Sequence, residues 1–562
     1  MLGRKGKDHD LLACIREGRT MTQSEKLSLI VSLSIPSILA QISATVMFFI
    51  DASMVGHIGA RASAAIGLVE TTGWLMGGLS MAANMGFSVQ VAHFIGANDF
   101  EKARHVLRQS IVCCFIWALA FSLTALAIGP FLPYWLGGTE EIAHDASIYF
   151  MLIGVFGIFF QMEGLAGSML KCSGNMKVPS LLNILMCVMD VAFNYLFIYI
   201  LDLGVIGAAL GTGLAELITA ALMFYFLLWR SILKIEVRGA RCEVREMKCE
   251  VRGTRCEVRE MKCEVRGTRC EVRGTRCEVR GTRCEVREMR GENTPEEDNE
   301  GVQGNLAPRT SYLAPRNNTW REFKPTADIV GKAFKIGGPM GLQHMLMGGA
   351  QIVSTLIVAP LGTIAIASHS LAITVESLCY MPGYGIAEAA TTLVGQSFGA
   401  GQRLLVRSFA RMSVSLGVGV MTLMGVLMYV FAPELMSLMT PVEAIRELGS
   451  DVLRIEAFAE PMFAAAIVCN GVFIGAGDTL KPAIMSLASM WGIRLTLAAF
   501  LARDYGLTGV WMAMAIELTC RGVMFLVRMS RGARYEVRGA RYEVRGARYE
   551  VRGTRCEVRG EE

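Results

Sequence analysis

Twelve long apolar segments constrain this chain more than any other feature of its sequence. A helix needs about 20 mainly apolar residues to cross the hydrocarbon core of a bilayer. Six such segments precede a charged repetitive tract and six follow it. They lie at about 27–50, 65–95, 107–132, 146–170, 178–201, 205–229, 336–360, 366–395, 407–432, 450–475, 481–502 and 506–528. Because hydrophobic residues make up 52% of the chain, we exclude a set of soluble domains and predict an all-α polytopic membrane protein.

The charged residues concentrate in two repetitive tracts with a period of seven, built from units such as EVRGTRC and EVREMKC. These units have no apolar stripe that could form a core or a coiled coil, so we expect solvated segments without regular structure. The alternative is an Arg-rich surface that binds anionic lipid headgroups. The predicted divisions of the chain are a cytoplasmic N-terminal segment, an N-lobe, a repeat insertion with its linker, a C-lobe and a repeat tail, at 1–26, 27–232, 233–329, 330–528 and 529–562.

Several function classes lack their sequence signatures. The chain has 16 cysteines, seven of them spaced seven apart in the repeats, and this spacing differs from the paired CxxC pattern of a zinc site. The net charge of +5 comes mainly from the Arg-rich repeats, so we expect no nucleic-acid partner. No GxxxxGK[ST] or HExxH motif is present. We therefore expect neither an enzyme nor a bound cofactor.

The charges of the short loops predict the orientation in the membrane. The loops after the third and ninth segments are acidic or mixed, whereas those after the second, fourth and eighth are basic. The basic residues are Lys102, Arg104, Arg108, Lys171, Lys177, Arg403, Arg407 and Arg411. The positive-inside rule places these loops and both termini in the cytoplasm. We expect a multi-pass protein of the cell's inner (plasma) membrane.

The two halves of the chain repeat each other. Gly59 in GHIGA corresponds to Gly362 in APLGT, and Gly96 corresponds to Gly399, both at an offset of 303 residues. An even number of crossings in each half makes the repeat parallel, so we predict two six-helix lobes related by a pseudo-two-fold axis along the membrane normal. Transporters built in this way bind substrate between the repeats and alternate access by rocking.

Five motifs in this order resemble the MATE multidrug and toxin extrusion antiporters: FFIDASMVGHIGARASAAIGL, VQVAHFIGANDFEKAR, LGVIGAALGT, MPGYGIAEAATTLVGQSFGAG and IGAGDTLKP. The resemblance covers about 27–232 and 330–528. It implies export of drug-like or organic, often cationic, compounds in exchange for H⁺ or Na⁺, and we expect a monomer in the lipid bilayer. The alternative is a lipid-linked oligosaccharide flippase of a related superfamily, which predicts a strongly basic central cavity.

Polar residues in the N-lobe spans are candidates for a cation site, because charge in the hydrocarbon core is costly and marks function by default. Asp190 and Asn194 lie four residues apart, on one helix face, and offer oxygen ligands to Na⁺ or a proton site. The resemblance adds Asp51 and Thr212, although its fifth-helix pair has the order Asn then Asp, the reverse of the order here. The alternatives are an interfacial cap for Asp51, a polar packing pair, and a Thr212 hydroxyl bonded to its own helix. We expect no metal site beyond Na⁺ at the two aspartates and Asn194.

Acidic residues of the C-lobe spans are candidates for contact with cationic substrate. They are Glu376, Glu456 and Glu460, and Gln343 adds a polar group on the seventh span. Arg454 could instead pair with Glu456, which would make that carboxylate structural.

Overall fold

The computed structural model describes residues 5–233 and 323–532, together with the backbone of five short strands between them. The predictions for the remaining repeat and linker residues, and for the tail beyond residue 532, lie outside the described residues. The helices are α1 (Lys5–Glu17), α2 (Gln23–Ile58), α3 (Ala60–Gly96), α4 (Phe100–Ile128), α5 (Leu132–Trp135), α6 (Glu140–Cys172), α7 (Lys177–Tyr195), α8 (Gly204–Tyr225), α9 (Ala327–Val358), α10 (Thr363–Gly399), α11 (Arg403–Met439), α12 (Glu443–Ala457), α13 (Glu460–Gly475), α14 (Leu480–Ser489) and α15 (Leu495–Gly532).

Short π-helical and 3₁₀ segments extend several of these helices. The π segments are Leu196–Ile200 after α7, Phe226–Arg230 after α8, and Met490–Arg494 between α14 and α15, and Ala359–Leu361 is a 3₁₀ turn after α9.

The strands of the insertion are β1 (Glu243–Lys248), β2 (Arg259–Arg266), β3 (Glu271–Val272), β4 (Glu278–Arg280) and β5 (Glu285–Val286). β1 pairs antiparallel with β2, while β2 pairs with β4 and β3 with β5 in parallel. The parallel partners Glu264 and Glu278 are two repeat units apart, so identical units pair in register. At these five segments the backbone differs from the expected absence of regular structure.

Nine helical segments of the described residues are long and apolar enough to cross a membrane. α12 and α13 form a tenth crossing, which is bent by 59°. α3 is an eleventh, 37 residues long, in which Asn84 and Gln90 reduce the hydropathy. The segment Leu480–Arg531 has 52 residues and breaks at Gly506, whose φ of 58° and ψ of −136° are not helical, so it crosses twice. Residues 5–233 and 323–532 therefore contain the twelve predicted crossings.

The crossing of α3 and α10 shows the two-fold relation between the halves. A Cβ on Gly96 would lie 1.9 Å from the backbone oxygen of Gln396, and a Cβ on Gly399 would lie 1.9 Å from that of His93. A shift of 303 residues exchanges these two contacts. Gly59 and Gly362 also occupy equivalent places, directly before α3 and α10, with φ values of 139° and 100°. The parallel repeat predicted from the sequence is thus present in the packing.

The lobes meet closely at the end of the molecule that carries the α3–α4, α6–α7 and α10–α11 turns, here called the terminal end. His93 Nε2 lies 2.8 Å from the backbone oxygen of Gly475, and Gln396 Nε2 donates to the oxygen of Cys172 at 2.8 Å. These hydrogen bonds join the two lobes, because His93 and Cys172 belong to the first half and their partners to the second. The structure is closed at the terminal end.

Candidate functional site

Three predicted N-lobe residues form one hydrogen-bonded cluster between α2 and α7. Asn194 Nδ2 donates to Asp51 Oδ1 at 3.0 Å and to Asp190 Oδ2 at 3.1 Å. Asp190 and Asn194 are 1% and 2% exposed, because the four-residue spacing on α7 turns both side chains into the lobe. The side chains of Asp51 and Thr212 also lie within reach of the Asp190 carboxyl group. The four residues predicted for the cation site are therefore together.

This cluster keeps two oxygen atoms for a further partner. Asp190 Oδ1 and Asn194 Oδ1 are buried and have no hydrogen-bond partner among the described residues. A buried acceptor without a partner is costly, and a bound proton or cation supplies the missing interaction. Carboxylate and amide oxygens are also the ligands that hard cations prefer. Within the part of the chain that the structure describes, no group of three His, Cys, Asp or Glu residues is arranged to hold a metal ion.

Gly211 and Tyr149 also lie at this candidate site, although they were not predicted from the sequence as site residues. A Cβ on Gly211 would lie 2.0 Å from Asn194 Oδ1, so only glycine lets α8 approach the asparagine this closely. Tyr149, on α6, interacts electrostatically with both Asp51 and Asp190. Gly211 stands directly before Thr212 in the LGT motif, which is the one sequence signal that could have found it.

Two further acidic residues of the N-lobe extend from this cluster towards the C-lobe. Glu216, on α8, interacts electrostatically with Asp190 and with Glu163 of α6. Glu163 in turn interacts with Lys171 and Glu388. Lys171 Nζ lies 2.8 Å from Glu388 Oε1 and joins the terminal end of α6 to α10. A row of charged side chains therefore connects the aspartate cluster with the contact between the lobes.

The C-lobe gathers three predicted acidic residues around the break between α12 and α13. Glu456 precedes the break and Glu460 follows it, directly before Pro461, and both side chains are fully buried. All four of their carboxylate oxygens have no hydrogen-bond partner among the described residues. Glu376 of α10 interacts electrostatically with both. Broken helices near the middle of a span are typical of transporter binding sites.

Two arginines partly balance this acidic cluster. Glu517 of α15 accepts from Arg521 Nε at 2.8 Å and from Arg521 Nη2 at 2.6 Å, and Ser489 also donates to it. Arg494 interacts electrostatically with Glu517, Glu376 and Glu456. The C-lobe core thus holds four carboxyl groups and two guanidinium groups, namely Glu376, Glu456, Glu460, Glu517, Arg494 and Arg521.

Two residues considered in the sequence lie apart from this core arrangement. Arg454 does not pair with Glu456: its Nη1 lies 3.9 Å from Asp451 Oδ1, and its guanidinium carbon lies 5.9 Å from the Tyr429 ring centroid. Glu456 points into the lobe while Arg454 points outward, because the two are not on the same face of α12. Gln343 is half-buried on α9.

Known proteins resemble this chain in sequence and in fold. The MatE family matches residues 36–196 and 339–500, which together are more than half of the chain. A probable multidrug resistance protein NorM of Thermotoga maritima is 21% identical over 510 residues, covering 90% of this chain and 92% of the relative. A protein of the same description from Brucella suis is 29% identical over 218 residues, covering 38% and 46%.

Two solved structures have the same fold. The Vibrio cholerae MATE transporter VcmN has a TM-score of 0.74 at 16% identity and covers 92% of this chain and 98% of its own. An outward-facing multidrug resistance MATE family transporter has a TM-score of 0.72 at 18% identity, with the same coverage. The chain belongs to the MatE family, the family of the MATE efflux transporters.

Proposed function

We propose that this chain is a secondary active antiporter that exports organic, often cationic, compounds in exchange for H⁺ or Na⁺. The observation that carries the proposal is the cluster of Asp51, Asp190 and Asn194, in which two buried oxygens have no hydrogen-bond partner among the described residues. Two carboxyl groups that share one amide donor repel each other when both are ionised, so this cluster favours the binding of a cation. The names of the NorM relatives support drugs as the exported compounds.

Exchange requires that the cation and the compound bind different states of the protein with different affinities. The lobes touch at the terminal end, and the distal halves of α2 and α3 carry half-exposed aromatic residues such as Phe48 and Trp74. We therefore assign this structure to a state that is closed at the terminal end. In the proposal the terminal end and both termini face the cytoplasm, and the lobes rock to open it.

Cationic compounds fit the C-lobe core better than pyrophosphate does. Four carboxyl groups against two guanidinium groups leave an acidic excess around Glu376, Glu456 and Glu460. A lipid-linked oligosaccharide would need the opposite charge. We propose that these three residues, with Gln343 of α9, contact the exported compound, and that the protein works as a monomer in the inner (plasma) membrane.

Dye efflux from vesicles under an imposed gradient tests the function. A pH gradient and a Na⁺ gradient are compared in the same preparation, with a fluorescent cationic dye as substrate. Asp51→Asn and Asp190→Asn should each lose gradient-driven efflux, because an amide takes up no proton and has no negative charge to balance that of Na⁺. Asp328→Asn is the matched control, since the Asp328 side chain is exposed at the start of α9. Efflux at the wild-type rate in both cluster variants would place the ion site elsewhere.

A further inference from the structure

The N-terminal helix α1 lies outside the twelve crossings, yet two of its residues are buried. Leu12 is 8% exposed and Ile15 is fully buried, although α1 stands in a charged stretch of sequence. The helix ends at Glu17, the next residue, Gly18, has a left-handed φ of 73°, and Arg19 N donates to Cys14 O at 3.0 Å. This arrangement is the glycine C-cap that closes a helix sharply. The chain then turns into α2, so α1 is held against the terminal end.

One side of α1 contacts the first half of the chain. Leu12 packs on the α6–α7 turn, where a Cβ on Gly174 would lie 2.5 Å from Leu12 Cδ1. The Arg16 guanidinium carbon lies 5.7 Å from the centroid of the Phe100 ring at the start of α4. Gly174 also has a left-handed φ of 89°, a backbone conformation that favours glycine. The turn therefore has no side chain at the point where Leu12 packs.

The same helix also contacts the second half. Gln402, directly before α11, donates from Nε2 to the backbone oxygen of Ile15 at 2.5 Å. Ile15 and Leu12 belong to one apolar cluster with Met176 of the α6–α7 turn and with Leu405 and Phe409 of α11. The helix α1, of 13 residues, therefore contacts both lobes at the place where they meet.

We propose that α1 is a strap that fastens the two lobes to each other at the terminal end and must release one of them before that end opens. The inference rests on the proposed rocking of the lobes. A short helix cannot follow two bodies that move apart, so opening breaks either the Leu12–Gly174 contact or the Gln402–Ile15 bond. The strap thereby stabilises the closed terminal end and sets how readily the transporter changes state.

The thiol of Cys172 reports on this opening in the full-length protein. Cys172 ends α6, is 4% exposed, and accepts on its backbone oxygen the inter-lobe bond from Gln396. Cys187, on α7 inside the N-lobe, is also buried and reports on loss of the lobe's own packing. The test measures the rate at which N-ethylmaleimide alkylates each thiol, resolved by mass spectrometry of the peptides.

The strap variants are Leu12→Asp and Ile15→Asp, and Glu17→Gln on the exposed side of the same helix is the control. We expect the aspartate variants to raise the alkylation rate of Cys172 by about tenfold or more, since a local opening exposes it. Cys187 should keep its wild-type rate, and Gln402→Ala should give a smaller rise at Cys172 alone. An unchanged Cys172 in both aspartate variants overturns the proposal.

Equal acceleration of both thiols also overturns it, because α1 would then be part of the folding core and not a releasable strap. The assay uses no substrate and no gradient. A failure of the strap is therefore distinguishable from a failure of the proposed antiport, which dye efflux measures separately.

Discussion

The close crossing of α3 and α10 predicts that alanine at Gly96 or Gly399 opens the terminal end. Each Cβ would lie 1.9 Å from a backbone oxygen of the other helix, where a carbon and an oxygen need about 3.3 Å. The helices would have to separate by roughly 1.4 Å. The obstacle is backbone on both sides, so no side chain can rotate away.

The energetic cost follows from this geometry. Overpacking a close contact costs about 1–3 kcal/mol, while replacing a helical glycine by alanine gains up to about 1 kcal/mol. If a net loss of about 2 kcal/mol destabilises only the state closed at the terminal end, it shifts the ratio of closed to open molecules by about 30-fold. Because the two sites are related by the two-fold axis, both variants should lose a similar amount. The double variant should lose less than the sum, since one separation relieves both contacts.

Thermal unfolding in detergent and hydrogen exchange of the peptides around residues 93–99 and 396–402 measure these effects. Gly419→Ala is the matched control, because a Cβ at this position in α11 meets nothing within 4 Å. We expect the control to be as stable as the wild type or slightly more stable. If Gly96→Ala and Gly399→Ala unfold and exchange like the control, the reasoning from the crossing is wrong.

Three further changes test the sites and the insertion. Gly211→Ala would place a Cβ 2.0 Å from Asn194 Oδ1. We therefore expect gradient-driven dye efflux to fall at least about tenfold while the variant still inserts normally in the membrane, and efflux at the wild-type rate would contradict the proposed cluster. Glu517→Gln would leave Arg521 without its buried carboxylate and should lower the free energy of unfolding by about 3–5 kcal/mol. The exposed Glu434→Gln is the control, and equal melting temperatures of the two variants would show that the Glu517–Arg521 pair does not stabilise the fold. Deleting 236–300 together with 533–562 removes neither a crossing nor the strap, so dye efflux should persist. If the deletion variant inserts normally in the membrane but loses efflux, the repeats have a role in transport.

The sequence predicts those features of this fold that depend on local pattern. Hydropathy locates the crossings, and the offset of 303 residues locates the glycines at the lobe contact. The spacing of Asp190 and Asn194 places both on one helix face, which the hydrogen bonds of Asn194 confirm. In each case the information lies within one helix or in a comparison of the two halves.

Features that depend on long-range contact could not be predicted in this way. Leu12 and Ile15 belong to a run of five apolar residues, Leu11 to Ile15, which is too short to reveal a periodicity. Their burial depends on Gly174 and Gln402 far along the chain. The same holds for Glu163, because a glutamate in span four does not by itself show which residues it contacts. Its place beside Lys171 and Glu388 follows only from the packing of α6 on α10.

The ion pair between Lys171 and Glu388 yields the last prediction, because it joins the charged row of the N-lobe to the second lobe. Nζ and Oε1 are 2.8 Å apart, both side chains are about one quarter exposed or less, and Gln41 Nε2 also donates to Glu388 at 3.3 Å. A charged hydrogen bond of this kind contributes about 1.5–3 kcal/mol, equivalent to a shift of about 10–150-fold between closed and open molecules. Glu388→Gln and Lys171→Met should therefore speed hydrogen exchange of the peptides around residues 93–99 and 396–402, and the double variant should exchange no faster than the faster single one. If the two single effects multiply in the double variant, the residues act independently and the pair does not hold the lobes together.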